Sequence, residues 1–500
     1  MKVSRTMSRK DGERSLPVLI GVGQVLQRVD DPQAGVEPLE LMAQALETAA
    51  ADAGVPDVLA RADDARVIRG VWRYGDPARV LTERFGAPQA TTLGTHFGGN
   101  SVQQCVNDGA RMIEAGEREL IWLAGAEDGR SAPAARRQGI SLDYTDAPGL
   151  PDRILGSDKD MYHPVEREIR LLAATHHYAL YESAIRAARG ESIEAHRQRI
   201  AELWADFSRV ATENPHAWLR EGFTAAEIAD VGPDNPMIAT PYPRRMNANS
   251  RVDMGAALIL TPERVARELG VADEKLVYLH AGADAEDTLN TSQRWLFHES
   301  PAMRIGGRRA LDLAGLEPGD VDHVDLYSCF PSAVQVAAEE IGLGFERPLT
   351  VTGGLTFGGG PLNNYVMHSI ARMADVLRAD PGSKGLVTAN GGYLAKHAFG
   401  VYSTAAPAEC FGYANPQAEI DAAAPKRVVA QGYTGPVEIE AFTAVFKGDA
   451  PHHGFIAGRT PEEARAWCRV EDAPTLAIMA EAELCGRKAR FEGEGRLVLL

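Results

Sequence analysis

Several patterns that mark large classes of protein are absent from this sequence. The five cysteines are scattered along 500 residues, and none stands in a C-x-x-C pair or in the His/Cys spacing of a zinc site. We therefore expect a reducing compartment, with neither a disulfide framework nor a metal site. No apolar run reaches the length of about 18 residues that a membrane helix needs, and the amino end carries no apolar signal-peptide core. Together these absences predict a cytoplasmic protein that does not enter membranes.

Positive charge is also scarce. The 52 Lys and Arg residues are outnumbered by 69 Asp and Glu, which gives a net charge of −17, and no segment is rich in Lys or Arg. This balance argues against nucleic acid as a partner, although an acidic chain can hold a local basic pocket for a phosphorylated ligand. The length and a hydrophobic content of 45% suffice for two or three domains, each with its own core.

Glycine, by contrast, is concentrated in one segment. Residues 353–368, GGLTFGGGPLNNYVMH, place five glycines in the first eight positions and then continue as an amphipathic helix. Glycine leaves backbone N–H groups accessible, and a helix start adds unpaired donors and a positive dipole end. This pattern is typical of a site for an anionic or polarised oxygen, although a plain helix-entry turn has the same composition.

A similar segment occurs earlier in the chain, at residues 94–116 (GTHFGGNSVQQCVNDGARMIEAG). The two segments are related by a constant offset of 261 positions, which argues for an internal duplication. The period is far too long for a solenoid, so we predict two similar domains that face each other. The offset recurs in the pairs Gly99 and Gly360, Arg111 and Arg372, Gly54 and Gly315, and Gly21 and Gly282.

Apolar runs that end in glycine alternate with helical patterns, which predicts α/β halves built from parallel strand–helix–strand units. Long polar helical patterns interrupt the first half, and alternating apolar runs near the carboxyl end predict a small antiparallel barrel. The predicted domains are a flexible leader (1–15), an N-terminal half (16–264) with a helical insertion (about 129–250), a C-terminal half (272–404), an Ala- and Pro-rich linker (405–426) and a small β-barrel domain (427–500).

This organisation resembles the thiolase superfamily, most of all the thiolase-like protein type 1 group of its sterol-carrier-protein branch. The residues that carry the resemblance are GVGQ (21–24), AGAE (124–127), DMGAALIL (253–260), Cys329–Phe330 and the segment 353–361. The resemblance implies a duplicated five-layered αβαβα fold with an insertion domain and an added, OB-like C-terminal domain. It also implies acyltransferase ancestry in lipid metabolism, with coenzyme A or an acyl-CoA as ligand and no permanently bound cofactor.

The family's catalytic residues do not carry over to this chain. The position of the nucleophilic cysteine falls on Gly99, that of the histidine in the Gly-His-Pro triplet on Gly360, and that of the second cysteine on Ala389. Glycine can neither form an acyl-enzyme nor move a proton. Tyr327 stands where the family has the asparagine or histidine of an NEAF- or HDCF-type motif. We therefore expect thioester binding without ordinary thiolase activity.

Two other functions stay open. Relatives that cleave steroid side chains by retro-aldol chemistry lack the thiolase cysteine, use a tyrosine and work with a small barrel protein, so Tyr327 is a candidate catalytic base in a carbon–carbon lyase. Cys329 matches a cysteine that lines the family's site and is a second candidate nucleophile, whereas Cys105 lies more than a helical turn from the usual position. The last alternative is a non-catalytic binding or assembly protein.

The resemblance also suggests which residues surround the ligand. Arginines in PYPRRMNANSR are candidates for holding coenzyme A, and the added domain can cover a surface used for dimerisation, so monomer and homodimer both stay open. The candidate oxyanion and pocket residues are Gly99, Asn100, Gly359, Gly360, Asn363 and Asn390, and the candidate coenzyme A residues are Arg244, Arg245 and Arg251.

Overall fold

A computed structural model describes residues 15–493 and 495–500, so residues 1–14 of the predicted leader lie outside the described residues. None of the helices within those ranges is long and apolar enough to cross a membrane. The strands are β1 (Pro17–Gln27), β2 (Asp64–Val67), β3 (Thr91–Thr95), β4 (Ile121–Asp128), β5 (Arg153–Leu155), β6 (Met237–Ala239), β7 (Tyr242–Pro243), β8 (Asp253–Pro262), β9 (Val277–Glu286), β10 (His323–Asp325), β11 (Lys384–Gly391), β12 (Lys396–Ser403), β13 (Gly412–Ala414), β14 (Gly435–Lys447), β15 (Ala450–Arg459), β16 (Arg465–Val470), β17 (Lys488–Phe491) and β18 (Leu497–Leu499).

The α-helices alternate with these strands over most of the chain. They are α1 (Pro38–Ala53), α2 (Pro77–Arg84), α3 (Ser101–Glu114), α4 (Ser131–Gln138), α5 (Pro164–Glu168), α6 (Ala174–Arg189), α7 (Ile193–Glu213), α8 (Ala225–Ala229), α9 (Glu263–Glu268), α10 (Pro301–Leu313), α11 (Pro331–Ile341), α12 (Tyr365–Ala379), α13 (Gln417–Ala423) and α14 (Ala473–Glu481).

One large sheet contains both halves of the duplication. Its order is β10-β11-β12-β9-β1-β8-β4-β2-β3-β5, and the halves join where β1 pairs with β9 at Val18–Tyr278 and Leu19–Val277. The two halves have the same strand order. The order β2-β4-β8-β1 of the first half corresponds to β10-β11-β12-β9 of the second, and β3 has no counterpart. Only some neighbours are parallel, such as β2 with β4 and β10 with β11, whereas β1, β8, β9 and β12 pair antiparallel with one another. The sheet is therefore mixed, and the expectation of purely parallel units is wrong for those strands.

The duplicated glycine segments lead into the two central helices, α3 and α12. These helices contact each other and strands of both halves, while α1 packs against β1 and β8 on one outer side and α10 against β9 and β12 on the other. The strands of each half thus form one β layer between the central helices and an outer helix, which is the predicted αβαβα layering. The matched glycines Gly54 and Gly315 end α1 and α10 in left-handed conformation, with φ of 71° and 70°, which explains why both copies have glycine there.

Two predicted segments contain more regular structure than expected. The insertion between β4 and β8 is helical at α6 and α7, but it also supplies β5, which joins the large sheet beside β3, and β6, which pairs with β14. The segment predicted as a linker contributes β13, which pairs with β9, and α13. Strands of three residues that pair with distant segments leave no periodic signal in the sequence.

The chain ends in a separate antiparallel sheet of order β16-β15-β14-β17-β18, with β6 and β7 added from the insertion. One of the alternating apolar runs from which the barrel was predicted, at residues 476–484, belongs mostly to α14 and is not a strand. Asp472 caps that helix by accepting a hydrogen bond from the Thr475 N–H, and a proline stands in its first turn. The apolar run LAIMAEAEL is short enough for either a strand or a helix, and the cap at Asp472 favours the helix.

Two buried arginines attach this C-terminal sheet to the thiolase-like core. Arg465 donates hydrogen bonds to the carbonyl oxygens of Thr291, Ser292 and Arg294 at 2.5–3.3 Å and pairs with Glu440 at 2.8 Å. Arg427 donates to the Trp295 carbonyl at 3.0 Å and lies over the Trp295 ring. A charge held by several buried carbonyls fixes the orientation of the sheet on the core.

We predict that Arg465→Met loosens this attachment at a cost of about 1–3 kcal/mol, because the buried carbonyls lose their donor. The measurement is the rate of limited proteolysis after residue 426, which should rise at least severalfold. Arg459→Met, at a half-buried position on the same sheet that pairs with Glu438, is the matched control and should leave the rate unchanged. Equal rates in the two variants would contradict this role of Arg465.

Candidate functional site

The start of α3 meets the carboxyl ends of β10 and β11 at Gly99. A β-carbon built on Gly99 would lie 2.5 Å from the Tyr327 hydroxyl oxygen and still closer to the Asn390 carbonyl oxygen. The neighbouring Asn100 places its amide oxygen against Gly391. The space that a side chain at position 99 would need is therefore filled by the tyrosine hydroxyl and by backbone, which explains the glycine.

Tyr327 is held firmly at this point. Its N–H donates to the Thr388 hydroxyl at 2.9 Å, and its ring meets the Tyr365 ring edge-on with centroids 5.4 Å apart. Burial, with a smaller contribution from Cys329, raises the pKa of the Tyr327 hydroxyl above its ordinary value. The hydroxyl is thus neutral near pH 7 and available as a hydrogen-bond donor.

Asp325, at the end of β10 and two residues before Tyr327, organises the turn at residues 350–352. This fully buried carboxylate accepts hydrogen bonds from the Tyr365 and Ser369 hydroxyls and from the backbone and side chain of Thr352, all at 2.9–3.1 Å. Further bonds come from the Val351 N–H and the Thr350 hydroxyl. One carboxylate therefore connects β10, the glycine-rich segment and α12.

A polar cluster lies beside Tyr327. The Asn390 side-chain nitrogen donates to the Tyr178 hydroxyl at 2.8 Å and lies 3.9 Å from the Cys329 sulfur, while the buried Asn390 side-chain oxygen has no hydrogen-bond partner among the described residues. The Tyr178 ring stacks on Phe330 with centroids 4.6 Å apart. Since Tyr178 lies on α6, the insertion forms one wall of this cluster.

Neither buried thiol of the core is activated. Burial raises the pKa of Cys329 to about 12 and that of Cys105 to about 12. Over the described residues, no histidine makes a hydrogen bond to either sulfur. The hydrogen bonds that Tyr178 and Asn390 offer Cys329 lower its pKa by less than burial raises it. Both groups are neutral thiols at physiological pH, which does not favour Cys329 as a nucleophile.

The second glycine-rich segment does not provide the donors that the sequence suggested. The Gly360 N–H already donates to the Asn249 carbonyl at 2.9 Å, so the expectation that this amide is free for a ligand oxygen is wrong. Gly359 adopts φ of 105°, and a β-carbon there would press on Met254 and Trp218. These glycines allow close contact between the segment and the insertion.

The remaining pocket candidates of this segment have structural partners too. The side-chain nitrogen of Asn363 donates to the Arg69 carbonyl at 2.6 Å, and that of Asn364 to the Gly125 carbonyl at 2.7 Å, so both connect the C-terminal half to the N-terminal half. Gly353 and Gly354 give room to α7, since a β-carbon on either would press on Ala211 or Phe207. Tight packing, which sequence cannot show, explains these residues.

The three arginines proposed for coenzyme A have different surroundings in the structure. Arg244 donates to the Asp234 carbonyl, and Arg245 donates to the Glu227 carbonyl at 2.9 Å and lies over the Phe223 ring. Both guanidinium groups thus support the insertion's own backbone. Arg251 is exposed just before β8, and its role toward coenzyme A stays a prediction.

Comparisons with known proteins show the family and the fold of this chain. Residues 416–496 match the family described as the thiolase-like protein type 1 additional C-terminal domain, which begins inside the segment predicted as a linker. The crystal structure of a monomeric SCP2-thiolase like protein type 1 from Mycobacterium smegmatis is 32% identical, covers 98% of this chain and 99% of that one, and superposes with a TM-score of 0.82. The chain belongs to the SCP2-thiolase-like protein type 1 family. The family and the fold predicted from the sequence are thereby confirmed.

More distant relatives of this type 1 chain are similar in fold. An Ltp2-ChsH2(DUF35) aldolase structure is 16% identical with a TM-score of 0.60, and an acetyl-CoA acetyltransferase from Syntrophomonas wolfei is 15% identical with a TM-score of 0.55; each comparison covers 79% of this chain. An acetyl-CoA acetyltransferase from Methanothermobacter thermautotrophicus is 28% identical over 191 residues, which is 48% of that protein's length. The chain thus spans about half of that relative.

Sequence reasoning missed two residues near Gly99. Tyr178 was visible only as one of several aromatic residues in the insertion, and nothing in its spacing indicated a hydrogen bond to Asn390. Lys396, at the start of β12, is 4% exposed and lines a cavity beside Asn100. A lysine in an apolar strand was the available signal, because lysine is rarely buried without a partner.

Proposed function

We propose that this protein binds an acyl thioester of coenzyme A at the start of α3 and does not carry out thiolase chemistry. The observation that carries the proposal is the Tyr327 hydroxyl in the space of a side chain at Gly99. A nucleophile attached at position 99 has no room there, and a neutral hydroxyl takes its place. Coenzyme A is a ligand or substrate in this proposal and not a resident cofactor.

Tyr327 is the proposed partner of the thioester carbonyl. A neutral hydroxyl donates a hydrogen bond, and the positive end of the α3 dipole favours the partial negative charge of a carbonyl oxygen. Neither feature forms a covalent bond to the acyl carbon. The polar wall formed by Asn390, Tyr178 and Cys329 lies next to this oxygen position.

Binding is tested by titration calorimetry with acetoacetyl-CoA. We expect micromolar binding to the wild type and weakening by about five- to tenfold in Tyr327→Phe, which removes one hydrogen bond of about 1–1.5 kcal/mol and keeps the ring. Tyr433→Phe, which removes a partly exposed hydroxyl on the C-terminal domain, is the control. No binding to the wild type would refute the proposal, and unchanged affinity in Tyr327→Phe would refute the role of the hydroxyl.

A lyase acting on 3-hydroxyacyl-CoA is the second candidate, and the unpartnered Asn390 side-chain oxygen favours it. That oxygen can accept the substrate's 3-hydroxyl while Tyr327 stabilises the thioester enolate. Water takes the 3-hydroxyl proton, because the raised pKa of Tyr327 makes it a hydrogen-bond donor and not a base. The electron pair of the bond between carbons 2 and 3 passes to the thioester enolate, carbon 3 leaves as a carbonyl compound, and carbon 2 takes back a proton from water. Release of a carbonyl fragment that disappears in Tyr327→Phe would support the lyase, and thioester binding without release would support a binding protein.

We also propose that the protein acts as a monomer. In the large sheet β3 would be an edge strand available to a second copy, but β5 from the insertion pairs with it. The SCP2-thiolase-like relative from Mycobacterium smegmatis is described as monomeric.

A further inference from the structure

The cavity beside Gly99 has a buried positive charge in its wall. It measures about 230 Å³ and is formed by the turn before α3, the first turn of α3, the end of β5 and the start of β12. This volume corresponds to about eight water molecules at liquid density. Residues that matter for its chemistry are His96, Asn100, Gln104, Glu286 and Lys396.

Lys396 makes no close ion pair in this wall. Its ammonium group donates one hydrogen bond, to the Ser157 carbonyl at 3.0 Å, and no carboxylate of the described residues lies within the 4.0 Å of an ion pair. Glu286, opposite Lys396 on β9, and Asp158 act on it electrostatically from a greater distance, and Glu286 pairs instead with the exposed Lys159 at 3.6 Å. A buried ammonium group is costly to desolvate unless an opposite charge is supplied, and burial lowers the pKa of Lys396 accordingly.

Residues of the cavity wall are direct neighbours of the residues that form the proposed thioester site. Asn100 lines the cavity, while Gly99 next to it contacts Tyr327 and Asn390. On the other side, Lys396 is the direct partner of Gly391 across the β11–β12 hairpin, and Gly391 lies against Asn100. The cavity is therefore the nearest space for the acyl group of a thioester held at Tyr327 that these neighbours point to.

We propose that this cavity holds the acyl group and that Lys396 selects a short acyl chain ending in a carboxylate, the monothioester of a dicarboxylic acid. This inference rests on the proposed function and names its substrate class. The carboxylate supplies the close ion pair that neither Glu286 nor Asp158 makes with Lys396, and the first turn of α3 adds a favourable dipole. The small polar cavity excludes a long alkyl chain.

The experiment compares two coenzyme A thioesters of nearly equal shape, succinyl-CoA and 4-methylpentanoyl-CoA, in which two methyl groups replace the carboxylate oxygens. Dissociation constants are measured by titration calorimetry for the wild type, Lys396→Met and Lys447→Met, which changes an exposed lysine of the C-terminal domain. We expect the wild type and Lys447→Met to prefer succinyl-CoA by at least about tenfold. Lys396→Met should lose this preference while its affinity for 4-methylpentanoyl-CoA stays the same, which also shows that the variant is folded.

Each result separates the two proposals. Equal binding of the two thioesters by the wild type, measured before any variant, overturns the selection of a carboxylate and leaves thioester binding intact. A preference that persists in Lys396→Met overturns the role of Lys396. Failure of the wild type to bind either thioester overturns the proposed function itself and this inference with it.

Discussion

Replacing Gly99 by cysteine, which puts the family's nucleophile back in its usual place, is expected to destabilise the protein by about 3 kcal/mol and to create no thiolase. The new β-carbon would overlap the Tyr327 hydroxyl and the Asn390 carbonyl, and overpacking of this kind usually costs about 1–3 kcal/mol. Removing the hydroxyl in Gly99→Cys/Tyr327→Phe, which keeps the buried ring, should restore part of the stability only, because the Asn390 carbonyl belongs to the backbone of β11.

The midpoint of urea unfolding measures the cost, and thiolysis of acetoacetyl-CoA measures the activity. Gly232→Cys is the matched control, since a β-carbon at Gly232 meets nothing within 4 Å, and it should unfold like the wild type. A stable Gly99→Cys protein would show that the space at position 99 is open. Thiolysis by that variant would show that the rest of the catalytic machinery is still in place.

Asp325→Ala is expected to cost about 3–5 kcal/mol, the largest effect of any single change considered for this fold. Six hydrogen-bond donors converge on this carboxylate, and its removal leaves buried donors of the 350–352 turn and of α12 without an acceptor. Because Tyr327 follows two residues later and packs on Tyr365, the loss should also disorder the thioester site.

Urea unfolding of Asp325→Ala and Asp325→Asn tests this role. The asparagine keeps one acceptor oxygen and should lose less stability than the alanine, whereas Asp312→Ala, at an exposed position on α10, should be neutral. Equal stability of Asp325→Ala and the wild type would mean that the network relaxes without cost and does not organise the turn.

The duplicated core could be predicted because local features of the sequence specify it. Gly54 and Gly315 end matching helices, the glycine pairs precede matching helices, and the apolar runs form the central strands. The short strands β5, β6 and β13 could not be predicted, since each pairs with a strand distant in sequence and contains only three residues. In these segments tertiary contacts decide the structure.

The site was predictable only in part. Matching this chain to the family placed Gly99 and Tyr327 at related positions, and the structure brings them into contact. The interpretation of Gly360 was wrong because a free amide and one bonded to Asn249 look the same in sequence. Tyr178 became a candidate only when its neighbours were known, because it is one aromatic residue in a helical insertion, whereas Lys396 left one usable signal, a lysine within an apolar strand.

The most direct test of the central claim is intact-protein mass spectrometry together with a thiolysis assay, after incubation with acetoacetyl-CoA and coenzyme A. We expect an unmodified protein mass and no acetyl-CoA above the uncatalysed background. We also expect the thioester to bind in the same sample, detected as protection of Tyr327 and its neighbours from hydrogen exchange. An acyl adduct on any cysteine, or steady production of acetyl-CoA, would contradict it.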